Sequence, residues 1–123
     1  MPKPPKPNRT RERRIAEEIV VDAYGPEEQA MGWYYYLEGK LVFPFKAKCT
    51  AVRSVSPLKK GEEVEVLSMA KEDDCLAEMF VLIRYGRCKL GVPLAQLDVV
   101  DGAEDTCEAV EDWYYWVARG YEF

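Results

Sequence analysis

Apolar residues change their spacing twice along the chain, and the changes divide it into helical ends around a strand-rich middle. Near the start, Ile15, Ile19 and Val20, continued by Ala23, recur at intervals of three and four with Glu17 and Glu18 on the opposite side. That period predicts a helix over about 10–24, capped by Thr10 and stopped by Gly25. Pro26 suits the first position of a second helix over about 26–38, and Glu27 and Glu28 fall in its first turn, where the helix dipole favours negative charge. The run Trp33-Tyr34-Tyr35-Tyr36 spans more than one face of that helix, so part of it must meet another element or stay exposed.

Past Glu38-Gly39-Lys40 the spacing shortens to β-rich runs punctuated by glycine and proline, with strands expected near 41–53, 62–70, 78–86, 89–93 and 98–100. In the second, Val64 and Val66 share one face while Glu63 and Glu65 share the other. Cys107, Val110, Trp113, Tyr114 and Val117 then return to helical spacing, predicting a last helix over about 103–118 that ends at Gly120. The fold class is therefore α+β: a small SH3-like five-stranded β-barrel with two N-terminal helices and one C-terminal helix. Residues 1–9, proline alternating with basic residues, read as a flexible polyproline-like tail, and 10–123 as a single domain.

Composition narrows the chemistry. The 123 residues carry a formal net charge of -5, but six of the 17 basic residues lie within the first 14 positions; beyond Arg14, 11 basic residues face 21 acidic ones. Such a body repels phosphate backbones and attracts cations, so nucleic acid is an unlikely partner despite the basic tail. The sequence lacks the ~20 consecutive apolar residues of a membrane span and an apolar signal core, which places the protein in the cytoplasm with no membrane partner. It has no histidine, no G-x-S-x-G serine and no glycine-rich phosphate loop, so the reading is non-enzymatic. Cys49, Cys75, Cys88 and Cys107 form no C-x-x-C pair; buried free thiols are expected, with an all-cysteine zinc site the alternative.

Calcium takes six to eight oxygen ligands, mostly carboxylates and carbonyls on adaptable loops. Three acidic stretches qualify: Glu38 beside Gly39; Glu72, Asp73 and Asp74; and the segment from Asp98 through Asp101 to Asp105. In an antiparallel meander the loop joining the second and third strands returns to the end where the first began, which puts Glu38 and the 72–74 cluster at one end of the sheet. The plain alternative for 72–74 is a solvated turn, and no EF-hand loop is present.

A family resemblance bears on the choice. The segments from Glu18 to Tyr24, from Glu27 through Ala30-Met31-Gly32-Trp33-Tyr34-Tyr35-Tyr36-Leu37 to Glu38, and from Phe43 to Cys49 resemble the cyanobacterial calcium-binding protein family, which has no EF-hand. Gly61-Glu62-Glu63-Val64, Val92-Pro93-Leu94 and Leu97 extend the similarity more loosely, over about 15–100. The resemblance implies a cytoplasmic calcium buffer or sensor acting in calcium signalling during cell differentiation. It also implies that an acidic residue commonly follows the Leu-Glu pair; Gly39 stands there in this chain and would weaken binding if that position supplies a ligand. The expected ligand set is Glu38, Glu72, Asp73, Asp74, Asp98 and Asp101, and calcium ions the expected partner. The competing reading is an SH3-like protein-interaction module without metal, its protein partner unknown, using the aromatics at 33–36 and 113–116.

Overall fold

The computed structural model describes residues 8–21 and 23–118. The expected tail therefore lies outside the described residues apart from Asn8 and Arg9, as does the expected helix stop at Gly120. Helix α1 spans Arg9–Arg14 and starts earlier than Thr10, because the side chain of Asn8, not Thr10, accepts from a first-turn amide, that of Arg11, at 3.0 Å. It does not continue regularly: Ile15–Ile19 widens into a π-helix that presents Ile15 and Ile19 to the core. Helix α2 runs over Pro26–Lys40 and helix α3 over Glu104–Ala118. At Gly32 on α2 a Cβ would collide with the carbonyl oxygen of Ile19, so only glycine lets the π-helix settle against α2.

Five antiparallel strands lie between α2 and α3: β1 Phe45–Cys49, β2 Glu63–Met69, β3 Phe80–Tyr85, β4 Cys88–Pro93 and β5 Leu97–Asp101. The first is much shorter than the expected 41–53, since Pro44 has no amide to donate to a ladder and the chain leaves the sheet after Cys49. Along β1 the side chains alternate, with Phe45, Ala47 and Cys49 buried and Lys46 and Lys48 exposed. The strand order β4-β3-β2-β1-β5 makes β4 and β5 the two edges. Three helices and five antiparallel strands bear out the expected α+β class, while the hydrogen-bonded ladder is an open sheet and does not close into the expected SH3-like barrel.

The aromatic runs on α2 and α3 form the helix–helix seam. Trp33 meets Trp113 edge-on at 5.1 Å and Trp116 at 5.6 Å, and Trp33 and Trp113 are buried. They are core, which removes most of the aromatic surface that the interaction-module reading would use. Beside them lies a polar node. Asp112, fully buried, accepts from Arg11 Nη1 at 2.7 Å, from Arg14 Nε and Nη2 at 2.9 and 2.8 Å, and from the Tyr36 hydroxyl at 2.8 Å. Helix α1 buries none of its own residues, so this node and the bond from Tyr115 to Glu12 at 2.7 Å hold it on α3.

Candidate metal site

Between β2 and β3 the chain makes one 3-10 turn, Glu72–Cys75, closed by the Asp74 amide donating to the Lys71 carbonyl at 2.9 Å. Only Cys75 points inward. Its buried sulfur accepts from the Phe80 amide at 3.3 Å, and burial pushes its thiol pKa up, so it anchors the turn as a neutral group. The pinned cysteine leaves Glu72, Asp73 and Asp74 on the surface. On the far side of the turn, Arg53 holds Glu78 through two bonds of 2.8 and 2.9 Å, tying the loop after β1 to the approach to β3.

Helix α2 packs its last turns against this acidic turn. The buried Tyr34 hydroxyl donates to the Ala70 carbonyl at 2.8 Å, just ahead of the turn, and the Tyr35 hydroxyl donates to Glu72 Oε1 at 2.9 Å. Glu38 lies one helical turn further on, and its charge acts on both phenols. Burial, reinforced by Glu38, pushes the Tyr34 pKa up to about 12, while Tyr35 is raised first by its bond to Glu72 and more weakly by Glu38. Glu38 and the 72–74 turn thus occupy one end of the sheet, as the meander requires. Among the described residues, none of these four carboxylates has a lysine or arginine within salt-bridge distance.

Asp98 and Asp101 stand elsewhere, on edge strand β5, directly across the ladder from Lys48 and Lys46. The same two lysines face Glu63 and Glu65 on β2, and Glu65 accepts from Arg84 at 3.2 Å. Opposite charges therefore alternate from strand to strand across this face, an arrangement that favours cross-strand pairing and sets a lysine opposite each β5 carboxylate. Neither Tyr35 nor the Arg53–Glu78 pair was foreseen as part of the acidic end. For Tyr35 a signal existed, because it precedes Glu38 by three residues and so shares its helix face.

Residues 13–117 match the family model described as calcium binding, that of the CcbP proteins. The chain belongs to the CcbP calcium-binding family. The crystal structure of Anabaena CcbP is 43% identical and superposes with a TM-score of 0.87 over 98% of this chain and 99% of that one. A calcium-binding protein in its calcium-binding form, also 43% identical, gives a TM-score of 0.84 over 94% of this chain and 95% of the other. A search of curated proteins returned no match.

For a CcbP-family chain the donor chemistry of the acidic end suits a hard cation: it offers carboxylate oxygens, with Cys75 turned into the core. Among the described residues, however, no group of three or more carboxylates or thiols is gathered closely enough to hold a metal ion. The four cysteines are likewise free and ungathered among those residues, which leaves the all-cysteine zinc alternative without support. The carboxylates suit calcium in kind while being splayed in this conformation. No helix of the described residues is long and apolar enough to cross a membrane.

Proposed function

We propose that the chain binds calcium at the end of the sheet where α2 meets the 3-10 turn, through Glu38, Glu72, Asp73 and Asp74, and serves as a cytoplasmic calcium buffer or sensor in calcium signalling. The observation that carries this reading is the shared position of Glu38 and Glu72 on either side of Tyr34 and Tyr35, with no internal cation to neutralise them among the described residues. Like charges held together repel, and a divalent ion relieves that repulsion. Glu38, Asp73 and Asp74 must turn toward Glu72, which the Tyr35 hydroxyl holds, and with water completing the shell this gives a calcium dissociation constant between about 10⁻⁷ and 10⁻³ M. Asp98 and Asp101, opposite lysines, fall outside the proposed site.

Isothermal titration of the chelator-treated protein with calcium, repeated with magnesium, tests the function without assuming any ligand. Saturable calcium heat with little magnesium heat is expected. Absence of saturable calcium binding up to millimolar concentration would sink the proposal and leave the fold as an interaction module.

A further inference from the structure

Tyr35 combines two properties that do not normally go together. Its side chain is more than half exposed, 56%, so it adds little to the core, yet its hydroxyl is committed to a carboxylate 37 residues away, Glu72 Oε1 at 2.9 Å. The neighbouring Tyr34 hydroxyl fixes the Ala70 carbonyl two residues before Glu72, so consecutive side chains of α2 hold the turn by its backbone and by its first carboxylate. An isolated surface carboxylate samples several rotamers, and ordering it on a ligand costs conformational entropy. With Oε1 occupied by a donor, Glu72 is already ordered and its other oxygen is left to meet a cation.

We infer that Tyr35 is a positioning residue for the calcium site, acting through Glu72: it pre-orders that carboxylate and links occupancy of the turn to helix α2. This rests on the calcium-binding reading above. Removal of the hydroxyl takes away the pre-ordering but no ligand, so Tyr35→Phe is expected to weaken calcium binding about 3- to 10-fold. Because the effect passes through Glu72, it should vanish once that carboxylate is gone, making the two substitutions non-additive.

The test is calcium titration of the wild type, Y35F, E72Q and Y35F/E72Q, with the thermal midpoint of each. Expected are weaker binding in both single variants, a double variant no weaker than E72Q, and nearly unchanged midpoints for Y35F. A near-ultraviolet tyrosine difference signal on calcium addition should also diminish in Y35F and persist in Y24F, which alters an exposed tyrosine elsewhere. Unchanged affinity in Y35F, an unchanged affinity in E72Q, or an equal loss from Y35F in both backgrounds would overturn the inference. A wild type that binds no calcium would remove the functional reading and this inference together; a wild type that binds, weakened by E72Q but not by Y35F, would remove the inference alone.

Discussion

Asp112 and the Glu72–Asp74 turn use the same functional group in opposite ways. Around Asp112 the carboxylate is buried and saturated by two arginines and a tyrosine drawn from α1 and α2, so its charge is spent within the fold. At the turn, three consecutive carboxylates face solvent, a fourth stands nearby on α2, and among the described residues only phenols reach toward them. The contrast separates two roles for acidity in a protein of net charge -5. A carboxylate saturated by internal cations has its charge spent within the fold, whereas surface carboxylates without one remain available to an external cation, as the proposed site requires.

Breaking the saturated node should give the largest effect. Asp112→Ala takes the short bonds from Arg11 and Arg14, whose side chains are only 19% and 20% exposed, leaving them the longer contacts to Glu111 at 3.6 Å and Glu108 at 3.7 Å, and leaves the Tyr36 hydroxyl without its acceptor. A loss of about 3–5 kcal/mol in urea unfolding is expected, with calcium affinity changed less than about twofold because node and turn share no partner. A loss under about 1 kcal/mol would mean that α1 docks by other means. At the turn the pattern should invert: Asp73→Asn with Asp74→Asn is expected to weaken calcium binding at least ~10-fold, about 1.4 kcal/mol, while leaving the unfolding midpoint unchanged or slightly raised. Unchanged affinity would move the site away from the turn.

The two regions also differ in how far they could be read beforehand. The turn was legible because the meander rule places the β2–β3 connection beside the start of β1, whatever the side chains do. The five strands and three helices are legible from period, but the expected β1 runs too long through Pro44, and the expected first helix is both too regular and too long, since helical structure turns π at Ile15 and ends at Ile19 rather than at Gly25. Asp112 was hidden for a physical reason. Its partners Arg11 and Arg14 lie about 100 residues away, and an aspartate amid acidic helical positions carries no mark of burial. Sheet closure was equally hidden, because strand count and alternation do not determine whether edge strands meet.

Alkaline pH sharpens the comparison from the side of the phenols. Tyr34 titrates near pH 10 when unfolded but at about 12 in the folded chain, chiefly through burial and then through the Glu38 charge. As pH rises through 10 the unfolded state loses this proton first. Stability is therefore intact below pH 10 and declines toward pH 12. Tyr34→Phe should remove about 1–2 kcal/mol of that decline, measured as the difference in urea midpoints between pH 8 and pH 11. Saturating calcium, by offsetting the Glu38 and Glu72 charges, should lower the folded-state Tyr34 pKa toward its unfolded value and so shrink the decline, whose onset near pH 10 belongs to the unfolded chain. An alkaline decline identical in wild type and Y34F would show that this phenol is not the group responsible.

The smallest effect comes from the Arg53–Glu78 pair, which lies between the two extremes: a carboxylate with a cation, yet 23% exposed and three residues past Cys75. Both Arg53→Ala and Glu78→Gln break the bidentate contact and should cost about 0.5–1 kcal/mol each, as partly exposed pairs do. Their effects on calcium should differ in sign. Arg53→Ala removes a positive charge and frees a carboxylate close in sequence to the acidic turn, raising calcium affinity up to about twofold at low salt; Glu78→Gln removes that carboxylate and leaves Arg53 unpaired, lowering affinity by a similar factor. Equal shifts in the same direction would mean that the pair acts on calcium through the shape of the loop. Opposite shifts that shrink in 0.5 M salt would mean that it acts through charge, the quantity that distinguishes the turn from the Asp112 node.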